Sequence, residues 1–305
     1  MSQFDGIWVP MVTPFRQGKI DFHAAQELAN YLVFCGVQGL VLGGTTGEGN
    51  ALDKNEQQQL LVAVHEAVGK YCPLLFGVGG SNTRELVDKV KRFNNTPLAG
   101  FLISPPCYVR PSQEGIRMHF NAIAAATELP VVLYNVPTRT GTNINTSTVA
   151  ELARNPQFVA IKECGSQISE LLAQEKIAVL CGNDDQLFTD LSSGARGAIS
   201  AAAHIRPDLF VQLYQLIQAR ELVAAQQLFA QLLPLIKLLF SEPNPAPVKT
   251  ALAMQGLIEN ELRLPMTSMS ALGAAALKKE LDVINNLDWS VGDLTIHNHL
   301  AFLNR

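Results

Sequence analysis

The chain has 305 residues, 48% hydrophobic and 16% charged, enough apolar mass to bury a large core as one big domain or as a domain with an appendage. A net charge of −4 at neutral pH offers no basic stripe for a phosphate backbone and no cationic patch for a lipid surface, which argues against nucleic acid and membrane as partners. The opening MSQFDGIWVP has no basic leader followed by an apolar segment, and no stretch of 18 residues is both apolar and free of charge, so a cytoplasmic protein is expected.

Apolar runs bounded by Gly, Pro or Asn recur along the chain. They are GIWVPMV (6–12), QGLVLGG (38–44), PLLFGVG (73–79), GFLIS (100–104), PVVLYNV (130–136), FVAIKE (158–163), IAVLCG (177–182) and GAISA (197–201). They are nearly all apolar rather than alternating, as parallel strands covered on both faces should be. Between them the spacing turns helical. Ala25, Leu28, Leu32 and Cys35 fall three or four apart, and Leu60, Val64, Ala67 and Val68 do so after DKNE at 53–56, which resembles a capping box. Strand and helix alternate eight times within about 220 residues, which predicts an α/β fold, a (β/α)₈ TIM barrel, over residues 1–220. An open doubly wound sheet fits less well, since no GxGxxG follows the first strand. Residues 221–286 continue with helical pattern, interrupted by EPNPAPVK (242–249) and LPM (264–266), and are expected to form a C-terminal helical appendage. Residues 287–305 read as a tail without an assigned role.

The five cysteines, Cys35, Cys72, Cys107, Cys164 and Cys181, contain no CxxC pair, and the six histidines show no ligand spacing; His297 and His299 read as surface residues. Neither a disulfide nor a metal is expected. In a barrel, chemistry sits at the carboxyl ends of the strands and in the loops that follow. Four unusual segments fall on that rim: GGTTGEG (43–49), PPCYVRPSQEG (105–115), YNVPTRTG (134–141) and the strand end at Lys162. A strand-end lysine taken alone is more often a side chain reaching for solvent. Here it follows an apolar run and is expected to point into a closed interior, where desolvation disfavours its charged form and a neutral amine can attack a carbonyl.

GGTTGEG lacks the GK[ST] of a nucleotide loop, and a glycine turn exposing successive N–H groups beside two hydroxyls suits a small carboxylate; alone it would be an ordinary tight turn. Tyr134 is either a core aromatic or, beside a Schiff-base lysine, a proton donor and acceptor. Arg139 is placed to grip a carboxylate with its fork, and Tyr108 reads as an interface residue with a possible second use in catalysis.

GGTTGEG, YNVPTRTG, VAIKE and EPNPAPVK together resemble the dihydrodipicolinate synthase family of pyruvate-dependent class I aldolases, which includes N-acetylneuraminate lyase. The resemblance covers about residues 4–284 with the motifs in order. It implies a barrel with C-terminal helices, assembled as a homotetramer built from two tight dimers. It also implies condensation of pyruvate with L-aspartate 4-semialdehyde to 4-hydroxy-tetrahydrodipicolinate, in lysine and diaminopimelate biosynthesis. Lys162 would form the imine with pyruvate, with no metal or organic cofactor. Thr45 and Thr46 would bind the pyruvate carboxylate, and Thr45, Tyr134 and a Tyr108 lent across the dimer would relay protons. Arg139 would receive the second substrate's carboxylate, and Gly182 and Ile199 would line the pocket.

One departure stands out. Where the family often has two adjacent tyrosines, this chain has Cys107 before Tyr108. The other positions matching the family's allosteric lysine site are Gly49, Asn50, Lys54, Gln57, Ser81 and Glu85, of which only Glu85 retains the residue of a sensitive enzyme; weak or absent lysine inhibition is expected. Two other functions compete: an aldolase for N-acetylneuraminate or a 2-keto-3-deoxy sugar acid, and a paralogue that binds pyruvate without turnover.

Overall fold

The computed structural model describes residues 4–287. The expected tail lies outside them apart from its first residue. The elements follow in chain order as β1 (Gly6–Val9), the hairpin strands β2 (Phe15–Arg16) and β3 (Lys19–Ile20), α1 (Phe22–Phe34), β4 (Gly39–Leu42), α2 (Lys54–Val68), β5 (Leu74–Val78), α3 (Thr83–Phe93), β6 (Gly100–Ile103) and α4 (Gln113–Ala124). Next come β7 (Val131–Asn135), α5 (Pro137–Thr140), α6 (Thr146–Leu152), β8 (Phe158–Glu163), α7 (Ile168–Gln174), β9 (Ala178–Cys181), α8 (Leu187–Ser192), β10 (Gly197–Ile199) and α9 (Pro207–Gln218). Three helices close the described chain: α10 (Leu222–Leu239), α11 (Ala246–Met254) and α12 (Ala271–Asn285).

Eight parallel strands form a closed barrel in the order β1-β10-β9-β8-β7-β6-β5-β4, the (β/α)₈ arrangement expected from the alternation. The apolar runs mark the strands and overshoot their ends. Within residues 6–12 the strand ends at Val9, since Pro10 has no N–H to give a ladder, although Met11 N still donates to Val41 O of β4 at 3.0 Å. The α2 start follows the DKNE pattern: Asp53 accepts the N–H groups of Asn55 and Glu56 at 2.7 and 2.9 Å, and Glu56 returns the bond to Asp53 N at 3.0 Å.

Strand parity sorts two cores. Trp8, Val41, Leu75, Leu102, Val132, Ala160, Leu180 and Ile199, one from each strand, pack inside the barrel with Phe4. The alternate residues, such as Val9, Leu42, Phe76 and Ile161, pack outward under the helices. Since side chains two apart share a face, Val132 and Ala160 in the interior place Tyr134 and Lys162 on the inner face one step nearer the rim.

After α9 the chain folds back over the barrel as α10, α11 and α12. α10 is long and apolar enough to cross a membrane by length and composition, a test passed because Lys237 is its one charge. Its Ala225, Leu228, Leu232, Leu235, Ile236 and Leu239 are buried in the same core as the outer barrel face.

Candidate active site

Tyr134 of β7 lies opposite Lys162 of β8, and Asn135 opposite Glu163. The first pair faces inward. Lys162 is 7% exposed, with Nζ 4.7 Å from the centroid of the Tyr134 ring. The second pair faces outward and pins the register. Asn135 Nδ2 donates to both Glu163 oxygens at 3.1 and 2.9 Å, Gly165 N donates to Glu163 Oε1 at 2.5 Å, and Asn135 Oδ1 accepts from Ile144 N at 3.0 Å. The sequence reading passed over Asn135 and Glu163, because a polar residue beside a strand-end lysine gives no sign of which face it serves.

The turn after β4 brings a third group. Gly43 holds φ +61, and a Cβ on Gly49 would fall 1.9 Å from Gly43 O, so the turn folds tightly onto its own backbone. Glu48 N donates to Thr45 O and Gly49 N to Gly44 O, each at 3.1 Å. Among the described residues the N–H groups of Thr45 and Thr46 have no acceptor, the arrangement a small anion would satisfy. The Thr45 side chain lies close enough to Tyr134 to lower the pKa of the phenol. Thr46 is buried, and its Oγ1 accepts from Asn244 Nδ2 at 2.9 Å.

Gly182 and Ile199 complete the wall. A Cβ at Gly182 would meet Cys164 Sγ at 2.2 Å, Glu163 O at 2.8 Å and Lys162 Cε at 3.0 Å, so only glycine leaves the amine its place. Ile199 is 1% exposed, opposite Trp8 in the ladder. Arg139, in the last turn of α5, is exposed and lies close enough to lower the pKa of Tyr134. Tyr108 does not join this cluster within the protomer: it is 91% exposed, at φ +69, with its N–H on Thr140 O at 3.2 Å.

The charge state of Lys162 corrects the sequence expectation. Burial works against the ammonium, but Tyr134, Cys164, Asp184 and Cys181 favour it, and the balance raises the pKa above that of an ordinary lysine. Burial also raises Tyr134, Cys164 (to about 11) and Cys181, so these three are neutral near pH 7. Asp184, itself pushed up to about 6 by burial, is the carboxylate among the groups that favour the charged amine. The Asp184 carboxylate, held by Ala202 N at 2.9 Å, is one of the groups that offset the desolvation of the amine. Asp184 lies in a short 3₁₀ turn after β9, where no periodicity or motif points to it.

Five of the positions matched to a regulatory site, Gly49, Asn50, Lys54, Gln57 and Glu85, line one cavity of about 860 Å³ together with Lys89 and Arg92. Ser81 and Cys107 lie outside that lining and are joined to each other by Ser81 Oγ donating to Cys107 O at 2.7 Å. All five cysteines are free thiols, and among the described residues no cluster of three His, Cys, Asp or Glu could hold a metal.

Residues 3–284 match the model of the Dihydrodipicolinate synthetase family. A 4-hydroxy-tetrahydrodipicolinate synthase of Geobacter metallireducens is 40% identical over 289 residues, covering 92% of this chain and 100% of the relative. The solved structure of dihydrodipicolinate synthase from Cyanidioschyzon merolae with lysine bound superposes with a TM-score of 0.91 at 30% identity, covering 94% of this chain and 100% of that one. A solved monomeric variant of dihydrodipicolinate synthase gives 0.90 at 35% identity over 92% of this chain and 96% of its own.

Proposed function

The chain belongs to the dihydrodipicolinate synthetase family, and we propose that Lys162 carries the family's chemistry here as an imine with pyruvate, served by Tyr134 and Thr45. The reaction is the pyruvate-dependent condensation that gives 4-hydroxy-tetrahydrodipicolinate, a lyase-class step of lysine and diaminopimelate biosynthesis. One observation supports the assignment of Lys162 above all: it is a buried amine, 7% exposed, 4.7 Å from the ring of Tyr134, whose phenol the Thr45 side chain influences.

The resting ammonium first gives up one proton along a path of Tyr134 and the Thr45 hydroxyl, and the same path returns it to the carbinolamine oxygen so that this oxygen leaves as water. The neutral Nζ then attacks the pyruvate ketone, and loss of water leaves a protonated imine whose positive nitrogen draws electrons from the adjacent methyl group. A methyl proton leaves to give the enamine, whose carbon adds to the aldehyde of L-aspartate 4-semialdehyde. The acceptor's amine displaces Lys162 and closes the ring. The Thr45 and Thr46 N–H groups grip the pyruvate carboxylate throughout, and Arg139 holds the carboxylate of the second substrate. No metal or organic cofactor is assigned a step.

The 91% exposure of Tyr108 supports a partner copy that takes it up at the rim, in a dimer or a tetramer of two dimers. Sedimentation of the purified chain distinguishes these from a monomer. The cavity lining sets Lys54, Lys89 and Arg92 against Asp53, Glu85 and Asp88, so its charge is balanced, and weak or absent inhibition by lysine rests on Cys107 and on the matched positions other than Glu85 that depart from a sensitive enzyme. Inhibition at submillimolar lysine would contradict that.

The acceptor is tested by supplying pyruvate with L-aspartate 4-semialdehyde, N-acetylmannosamine or glyceraldehyde in turn. Turnover with the semialdehyde alone is expected. Faster turnover of either sugar-derived aldehyde would overturn the assignment.

A further inference from the structure

The segment EPNPAPVK takes no part in the chemistry above, yet it touches the glycine turn twice. Asn244, 8% exposed, donates Nδ2 to Thr46 Oγ1 at 2.9 Å, and Lys249, 0% exposed, sets Nζ 2.5 Å from Glu48 Oε1. The other Glu48 oxygen accepts the Arg263 N–H at 3.0 Å, so neither carboxylate oxygen is free to rotate away. Lys249 Nζ also donates to Glu261 O at 2.8 Å and lies 4.1 Å from the Phe15 ring centroid. Arg263 clamps Glu56 at the start of α2 with both fork nitrogens, at 2.7 and 2.6 Å.

Glu48 carries φ +49, a left-handed conformation that a non-glycine residue keeps only when its surroundings hold it there. It ends the turn that begins at Thr45, and its own N–H closes that turn on Thr45 O at 3.1 Å. A buried ion pair is a poor source of stability, because desolvating both charges cancels most of their attraction. It does supply a fixed direction. Burial pushes the Lys249 pKa down to about 8 even against the pull of Glu48, which shows how dry this contact is.

We propose that Lys249 acting through Glu48, and Asn244 acting through Thr46, are positioning residues that aim the Thr45 and Thr46 N–H groups at the carboxylate of pyruvate. The C-terminal helical segment then belongs to the substrate site, and the barrel alone does not complete it. The proposal rests on the reading of Lys162 as the imine-forming residue.

Removing one charge alone leaves the other buried and unpaired, so the informative variant is the double substitution Lys249→Met with Glu48→Gln, which keeps the volume and removes both charges. Asn244→Ala tests the second contact without touching a charge. Each is assayed by borohydride trapping across a range of pyruvate concentrations, and by kcat and KM for both substrates. The expected result is a half-saturating pyruvate raised by about tenfold in the double variant and about threefold in Asn244→Ala. The saturating trapping rate and the KM for the aldehyde should stay within about twofold, since loss of ground-state grip raises KM and spares kcat. A wild-type half-saturation in both variants, or a fall in saturating rate with half-saturation unchanged, overturns the proposal while leaving Lys162 in its role. Should the double variant fail to fold, Asn244→Ala decides by the same criterion. Wild-type protein that traps no pyruvate sinks the reading of Lys162 instead.

Discussion

Gly182→Ala adds one methyl group at the most crowded point of the site. Its Cβ would lie 2.2 Å from Cys164 Sγ, 2.8 Å from Glu163 O and 3.0 Å from Lys162 Cε. Carbon contacts are comfortable at about 3.5–4.0 Å, so the sulfur has to retreat by more than about 1 Å and the lysine stem by about half that. Glu163 O cannot follow freely, because it already accepts the Gly182 N–H at 2.9 Å and its strand is paired on both sides. Overpacking of this kind costs about 1–3 kcal/mol of stability, and a displacement of about 1 Å at a reacting group costs roughly 10²-fold in rate. Thermal unfolding and the rate of borohydride trapping with pyruvate separate the two effects. A modestly lower Tm with trapping slowed by about two orders of magnitude is expected, and Cys164→Ala added to Gly182→Ala should restore part of the rate by removing the worst contact. A Gly182→Ala variant that traps pyruvate at the wild-type rate with an unchanged Tm would refute the placement of Lys162 against that wall.

Asp184→Asn removes the anion that supports the Lys162 ammonium at neutral pH, so the amine should deprotonate more readily and the onset of imine trapping should move to lower pH; an unchanged or upward-shifted onset would contradict that role. His204 is fully buried, accepts the Val12 N–H at 3.1 Å, and is pushed down to about 4 by burial. Its neutral form contributes about 3 kcal/mol, fully present above pH 6.5 and lost as pH falls through 4, so Tm should drop across that window, and His204→Gln should flatten the slope. A slope unaltered by that substitution would assign the acid loss to other groups. Tyr134→Phe should leave the fold intact and slow imine formation by about 10²–10⁴-fold, measured by trapping; a wild-type rate would remove Tyr134 from the relay.

Much of the frame could be read from local pattern. FVAIKE coincides with β8, Phe158–Glu163, because a strand covered on both faces leaves a short apolar run that ends where the chain reaches the rim. The same run gave Lys162 its place, and the step of two from Ala160 settled its inward face. Tyr134 was legible for the same reason, as a residue at a strand end, whereas Thr45 was picked out by the glycine turn after β4 and by the family resemblance. What escaped was contact across long stretches of chain. Asn244 reaches Thr46 over 198 residues, Arg263 reaches Glu48 over 215, and Asp184 acts from an irregular turn, so none leaves a periodic signal. The charge of Lys162 was misread for a related reason: an apolar run reports burial, whereas the groups that offset it, Tyr134, Cys164, Asp184 and Cys181, are brought together only by the fold. The hairpin Phe15–Arg16 with Lys19–Ile20 was missed because two-residue strands are too short to show alternation.

The most direct measurement is to incubate the protein with pyruvate and borohydride, digest it, and locate the reduced adduct by peptide mass. One adduct is expected, on the peptide carrying Lys162, and none in Lys162→Ala. An adduct on a different lysine, or no adduct in the wild-type chain, would contradict it.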